Sequence, residues 1–221
     1  MDFQKIRKEY ENHGIDESTL PAEPIGLFRE WYQLAVEKCP GPWMEANSMA
    51  LATADASGDV TNRIVLMKSI DDQGITFFTN YDSIKGQQLA ENPRAAVTFL
   101  WPYLGRQIRI KGTVSKTSRQ VSEEYFHSRP RGSQIGAAAS FQSQAVDSRK
   151  MLDQAKTKVS EKHEGQEIPL PDNWGGYVLK ATRIEFWQGR LDRLHDRVEY
   201  RLVDSTNGTP EQQWKRSRLS P

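Results

Sequence analysis

The chain has 221 residues, 37% hydrophobic and 27% charged, with a single cysteine. This is an ordinary soluble profile, long enough to bury roughly 70% of its unfolded surface. Thirty Lys+Arg against 29 Asp+Glu leave a formal charge of +1, so bulk charge points to neither nucleic acid nor a membrane, and any anion site must come from local clusters. Cys39 alone allows no intrachain disulfide, which favours a reducing compartment. Placed before Pro40-Gly41-Pro42, it reads as a spare loop thiol rather than a nucleophile. His13, His127, His163 and His195 show no zinc-ligand spacing, so no metal is expected. The charged first ten residues lack a signal-peptide core and no run reaches the ~18 apolar residues of a membrane span, so a cytoplasmic protein is expected.

In chain order, residues 3–13 read as a short polar helix that breaks at Gly14. Pro24 suits a first helical turn, and Ile25, Phe28, Tyr32, Ala35 and Val36 follow at helical spacing. Strands are expected over 48–54 and 60–70, flanking the hairpin signal Asp55-Ala56-Ser57-Gly58, and over 75–79. A short helix over 83–91 is capped by Ser83 and stopped by Pro93. Strands over 95–101 and 106–115 follow. In the second, Ile108 and Ile110 alternate with Gln107, Arg109 and Lys111, giving one apolar and one polar face. Residues 118–128 read as a helix ending at Arg129-Pro130, before the small-residue segment Gly136-Ala137-Ala138-Ala139. A charged helix over 147–163, strands over 176–188 and 193–203, and a polar loop over 204–213 complete the chain.

Short antiparallel strands with interspersed helices predict a mainly β protein with helical additions (α+β), closed or nearly closed into a barrel. The order is not alternating βαβ, and neither a Gly-x-Gly-x-x-Gly turn nor a Gly-x-x-x-x-Gly-Lys-Ser/Thr loop is present. Any phosphate must therefore be held by side chains and turns.

The segment Ile184-Glu185-Phe186-Trp187-Gln188-Gly189-Arg190-Leu191-Asp192-Arg193-Leu194-His195-Asp196-Arg197 concentrates potential chemistry. On a strand, Arg193, His195 and Arg197 would share one face. Such a face is either solvated and paired to Asp192 and Asp196, or a site for anions, for which arginine offers forked donors and histidine a proton near neutral pH. Arg63-Ile64-Val65-Leu66-Met67-Lys68 would place Arg63 and Lys68 on opposite faces unless a bulge intervenes. Lys85 falls in the first turn of a helix, where free amides and the dipole favour an anion, although taken alone such a lysine is more often an exposed surface residue. Tyr125 and Arg129 lie four apart on one helix face, and Pro130 can turn the chain to return Ser133. Those three side chains together suit a phosphate monoester.

These strings resemble the pyridoxamine/pyridoxine 5′-phosphate oxidase family. The match includes Phe78-Thr79-Asn80-Tyr81, Arg106-Gln107, Gln142-Ser143, Trp174-Gly175-Gly176-Tyr177 and the closing Arg218-Leu219-Ser220-Pro221, and it runs from about residue 7 to the C-terminus. It implies an FMN-binding split β-barrel over residues 1–221, with a helical extension over about 1–40 and strands over about 170–221 completing the site. It implies a homodimer with FMN in clefts between subunits. FMN would be held by Arg63, Ile64, Val65, Leu66, Phe78, Thr79, Lys85, Gln107, Gln142, Ser143, Trp187 and Arg197. The substrate, a vitamin B6 phosphate, would meet Lys68, Tyr125, Arg129, Ser133, Arg193, Leu194 and His195, with Arg7 and Tyr10 folding over it. Arg193 and His195 would be the catalytic pair. The implied reaction oxidises pyridoxamine or pyridoxine 5′-phosphate with oxygen to pyridoxal 5′-phosphate, releasing hydrogen peroxide, and ammonia from the amine. Two other classes stay open: another FMN split-barrel oxidoreductase, or a non-catalytic flavin or pyridoxal-phosphate binding protein. Ile84 stands where the family usually carries arginine.

Overall fold

The computed structural model describes residue 10, residues 14–204 and residues 212–221. Arg7 and the expected helix over 3–13 lie outside the described residues, Tyr10 excepted. Among those described, nine antiparallel strands form one sheet: β1 (Ser48–Ala54), β2 (Val60–Leu66), β3 (Ser69–Asp71), β4 (Gly74–Asn80), β5 (Arg94–Trp101), β6 (Arg106–Lys116), β7 (Trp174–Gln188), β8 (Asp196–Asp204) and β9 (Gln212–Arg218). The strand order is β2-β1-β5-β6-β7-β4-β3, with β8 on β7 and β9 on β8. β2 and β3 end opposite sides of that path, yet only Met67 and Lys68 separate them in sequence. The sheet must curl until its ends approach, and the Lys68 amide donates to the Thr76 carbonyl at 2.8 Å where they do.

The split comes from β7. Its first residues pair with β4, as in Asn80↔Trp174, and its last with β8, as in Trp187↔Arg197, while β6 runs along the other edge. One long strand therefore belongs to both the barrel and a C-terminal β7-β8-β9 layer. The β6–β7 register slips between Lys111 and Gly112. A side chain at Gly112 would stand 2.0 Å from the Lys180 carbonyl, so the bulge needs glycine. The fold is thus mainly β with helical additions, a split barrel.

Helix α1 (Pro24–Glu37) plugs the barrel. Phe28 meets Phe99 and Trp31 meets Phe186, each edge-on at 5.3 Å. The buried stripe is Pro24, Leu27, Phe28, Trp31 and Ala35, whereas Val36 is exposed and Ile25 and Tyr32 are half-buried. The sequence carries two overlapping apolar stripes, and the one with the indole is buried, because burying the larger apolar surface releases more free energy.

Helix α2 (Ile84–Glu91) starts at Ser83, whose Oγ accepts from the Gly86 amide. Helices α3 (Arg119–Ser128), α4 (Arg131–Ala139) and α5 (Arg149–Lys162) follow β6. Phe126, Ile135, Ile168, Leu170 and Trp174 form a second apolar cluster under α3 and α4. The small-residue segment after Pro130 lies within a helix, α4. Pro130 accepts from the Ser133 amide at 2.8 Å and opens it, and the alanines favour helix despite Gly132 and Gly136.

Three corrections concern strands. The expected strand over 60–70 is broken at Met67 and Lys68, because the chain there crosses between the sheet's two ends. The strand expected over 193–203 begins only at Asp196, after a tight 3-10 turn over Leu191–Arg193. The loop expected over 204–213 overlaps strand ends on both sides, and β9 had no alternating signal. Its sequence Gln-Gln-Trp-Lys-Arg-Ser-Arg is nearly all polar and exposed, a composition suited to a sheet edge that must not recruit another strand.

Candidate active site

A pocket of about 510 Å³ opens between the end of β2, β4, the first turn of α2, and α3–α4. From β2 and its exit come Arg63, Ile64, Val65, Leu66 and Lys68. β4 supplies Phe78 and Thr79, α2 supplies Lys85, and the segment after α4 supplies Gln142. Tyr125, Arg129, Pro130 and Ser133 line the opposite wall with Trp174. Arg63 and Lys68 thus reach one pocket, against the expectation of opposite faces: β2 has ended at Leu66, so two-residue alternation no longer governs Lys68.

The electrostatics of this pocket are one-sided. Arg63, Lys68, Lys85 and Arg129 line it, and among the described residues no carboxylate does. Lys85 is buried, and its Nζ donates to Gln142 Oε1 at 2.8 Å, Thr79 Oγ1 at 3.1 Å and Ser83 Oγ at 3.3 Å, all neutral. Burial first, and the Arg63 charge second, push the Lys85 pKa down to about 8. Burial also lowers Arg63 and Arg129 below the usual guanidinium range. Arg129 Nη1 is buried with no hydrogen-bond partner among the described residues. Uncompensated buried cations are costly, and an anion placed among them relieves that cost.

The pocket also carries an aromatic wall. Phe78 stacks on Tyr125 at 3.9 Å and on Trp174 at 5.6 Å, and the Arg129 guanidinium lies 4.7 Å from the Trp174 ring centre. Trp174 was not among the sequence-derived site residues, although its Trp-Gly-Gly-Tyr string carried part of the resemblance. A groove of similar size, about 480 Å³, runs over β1, β5 and β6. It is lined largely by alanines and threonines with no aromatic ring, so volume alone does not pick the site.

The remaining candidates lie in a second place. Gln107, Trp187 and Arg197 form a row across β6, β7 and β8. The His195 ring sits 4.8 Å from Trp187, and Tyr10 meets both edge-on at 5.7 and 5.9 Å. The Arg190 amide donates to His195 Nδ1 at 3.0 Å, so neutral His195 carries its proton on Nε2. Arg197 Nε donates to the buried Glu185 at 2.9 Å, and its Nη1 to the Ser220 carbonyl at 2.8 Å. None of these residues lines the pocket.

The expected strand face of Arg193, His195 and Arg197 is corrected. Only Arg197 is on β8; Arg193 and Leu194 are exposed on the turn before it. Asp192 and Arg193 have φ of 54° and 60°. Ser143 at 70° is the other non-glycine residue with positive φ among those described. Each costs of order 1–3 kcal/mol, and such strain concentrates at functional sites. Ser143 follows the pocket residue Gln142 without itself lining the pocket.

The comparisons fall along this same division. Residues 37–163 match the family described as pyridoxamine 5′-phosphate oxidase, and they hold every pocket residue except Trp174. Residues 174–221 match the pyridoxine 5′-phosphate oxidase C-terminal dimerisation region, which holds Trp187, Arg193, His195 and Arg197. The chain is 45% identical over 220 residues to the pyridoxine/pyridoxamine 5′-phosphate oxidase of Rhodopirellula baltica, covering 99% of this chain and 96% of that protein. It is 47% identical over 221 residues to the enzyme of the same description from Crocosphaera subtropica, covering both completely. Among solved structures, PhzG from Burkholderia lata 383, in complex with tetrahydrophenazine-1-carboxylic acid, superposes with a TM-score of 0.85 at 29% identity, over 97% of this chain and all of that one. With both segments matched and identity of this order over the whole length, the chain belongs to the pyridoxine/pyridoxamine 5′-phosphate oxidase family of flavin-binding oxidoreductases.

Proposed function

We propose that this enzyme oxidises pyridoxamine 5′-phosphate and pyridoxine 5′-phosphate with oxygen to pyridoxal 5′-phosphate, using FMN and releasing hydrogen peroxide, and ammonia from the amine. The observation that carries this reading is the pocket with four cations and, among the described residues, no carboxylate, which suits two phosphate groups better than one. The buried Nη1 of Arg129 and the buried Lys85 with only neutral partners fit such a pair. Lys85, Arg63 and the first turn of α2 would hold the FMN phosphate, with Thr79, Gln142 and Ser143 beside them. Ile64, Val65, Leu66 and Phe78 would flank the flavin. Tyr125, Arg129 and Ser133 would hold the substrate phosphate, with Lys68 at its ring.

FMN, when bound, supplies the acceptor for a hydride from the substrate carbon beside the pyridine ring and the route from there to oxygen. The chain's part is orientation, exclusion of water and proton control. His195 Nε2 would donate to a substrate heteroatom, its orientation fixed by the Arg190 amide at Nδ1. Arg193, exposed on its strained turn, would align the substrate with it. Tyr10 and Arg7 would close over the ring. The pocket and the His195 row share no residue, so the reading places the row of one protomer, with Gln107, Trp187, Arg197 and Leu194, against the pocket of its partner in a homodimer. Residues 1–221 form a single domain on this reading, about 1–40 being an N-terminal helical extension and about 170–221 completing the site.

Purified protein assayed for oxygen-dependent formation of pyridoxal 5′-phosphate tests the reading. A different FMN-barrel oxidoreductase would have no use for the Tyr125/Arg129/Ser133 set, and a non-catalytic binder would give no turnover.

A further inference from the structure

Behind Arg63 lies a buried polar chain that the proposed reaction does not use. Thr53 on β1 and Thr61 on β2 are direct cross-strand partners. Gln88, on α2 and only 5% exposed, reaches over both. Its Oε1 is 2.5 Å from Thr53 Oγ1 and 2.7 Å from Thr61 Oγ1, and its Nε2 donates to the Asp59 carbonyl at 3.2 Å. On the other side, Arg63 Nη1 donates to Thr53 Oγ1 at 2.7 Å and to the Leu51 carbonyl at 3.1 Å, and Nη2 donates to Thr61 Oγ1.

The proton count of this chain has one solution. The Asp59 carbonyl can only accept, so it fixes the Gln88 amide nitrogen towards itself and the amide oxygen towards the threonines. That oxygen can only accept, so each threonine hydroxyl gives it its single proton. The lone pairs left on both hydroxyls face Arg63, whose guanidinium can only donate. Gln88 is also neutral, so the chain holds Arg63 without cancelling its charge, as a carboxylate there would.

We propose that Gln88 is a positioning residue: by setting the direction of the Thr53 and Thr61 hydroxyls it locks Arg63 in place for the anion bound in the pocket. This rests on the reading of the pocket as the FMN phosphate site. Without the Gln88 oxygen, either hydroxyl can turn its proton towards Arg63 and repel it, and the guanidinium loses its fixed direction.

The test is a double-mutant cycle on FMN affinity, read by flavin fluorescence on full-length protein stripped of flavin and titrated with FMN. Gln88→Met keeps the side-chain length and removes the acceptor. It should weaken FMN binding about five- to tenfold, the size of one neutral hydrogen bond. In an Arg63→Met background the same change should alter binding by less than about twofold, because no guanidinium remains to position. Thr61→Val, which removes one link at a half-buried position, should show the same dependence on Arg63, and it decides the matter if Gln88→Met does not fold. Undiminished FMN binding by Gln88→Met, or an equal loss with and without Arg63, overturns the proposal. Failure of the wild-type protein to bind FMN would instead overturn the reading of the pocket.

Discussion

The Arg129 guanidinium lies over the Trp174 indole, 4.7 Å from its centre, with Nη1 buried and without a partner among the described residues. Stacking orients the charge but leaves its hydrogen-bonding capacity unspent, which is the arrangement expected where an anion arrives from outside.

Arg129→Ala should therefore raise KM for pyridoxine 5′-phosphate by roughly ten- to a hundredfold, the loss of a charged hydrogen-bonding partner worth about 1.5–3 kcal/mol. The thermal midpoint should move little, since Nη1 has no hydrogen-bond partner among the described residues and the stacking on Trp174 is what the folded protein loses. Steady-state kinetics with a thermal melt checks both. An unchanged KM would put the substrate phosphate elsewhere.

On the proposed reading, Lys85 should make FMN affinity depend on pH. Its pKa in the flavin-free protein is lowered to about 8 by burial and by Arg63. A bound phosphate favours the charged amine and raises that pKa, so FMN binding takes up a proton above pH 8. Affinity should be level below about pH 7.5 and fall above 8 by up to tenfold per pH unit. The stability of the flavin-free protein should change in the opposite sense. Because the folded pKa is lowered, the unfolded chain binds more protons between pH 8 and 10.5, and this group's contribution to stability rises across that window. FMN titrations at pH 7, 8 and 9, with Lys85→Met as the pH-insensitive control, decide the point. Parallel profiles for the two proteins would remove Lys85 from the phosphate site.

Gly189 lets Tyr10 reach Trp187 and His195. A Cβ on Gly189 would stand 2.5 Å from the Tyr10 ring, well inside van der Waals contact. Gly189→Ala should displace Tyr10 and raise KM for substrate several-fold, about 1 kcal/mol for a lost aromatic contact, while FMN stays bound through the pocket residues. Equal kinetic constants for mutant and wild type would show that Tyr10 does not cover the substrate.

Ile84 is 47% exposed beside Ser83 and Lys85, and it does not line the pocket. Ile84→Arg adds a forked donor at the same helix start and should tighten FMN by about 0.5–2 kcal/mol, a gain that shrinks as salt rises. If another cation already fills this role, the mutant binds FMN no better at low salt than wild type. Paired titrations at low and high salt separate the two.

Much of this fold was legible because its elements have strong local signals. Ser83 caps α2 and Pro93 follows it, Asp55 to Gly58 mark a hairpin, and Ile108 and Ile110 alternate cleanly on β6. What was not legible depends on partners distant in sequence. β9 has no apolar period because an edge strand needs only main-chain pairing with β8. The turn before β8 takes Arg193 and Leu194 off the expected strand face because Asp192 and Arg193 adopt left-handed backbone, which aspartate tolerates but arginine does not announce. In the site, the long strings located Lys85, Arg129 and Gln142, and the structure gathers them into one pocket. They gave no hint of Trp174 as a wall of that pocket, or of Thr53, Thr61 and Gln88 behind Arg63. Those residues matter through contacts between β1, β2 and α2 rather than through a motif. Nor did spacing reveal that the pocket and the His195 row stand apart on one chain.

Because the pocket and the His195 row stand apart on one chain, subunit exchange can show whether a working site needs both protomers. Mixing two inactive full-length variants, Lys85→Met with an impaired pocket and His195→Ala with an impaired row, and allowing subunits to exchange, tests whether each working site draws on two protomers. The expected result is a dimer, yellow with bound flavin, in which exchange restores oxygen-dependent pyridoxal 5′-phosphate formation towards about a quarter of the wild-type rate, since half the protein becomes heterodimer with one intact site. Mixtures that stay as inactive as the separate variants after exchange, or a protein that forms no pyridoxal 5′-phosphate at all, would contradict it.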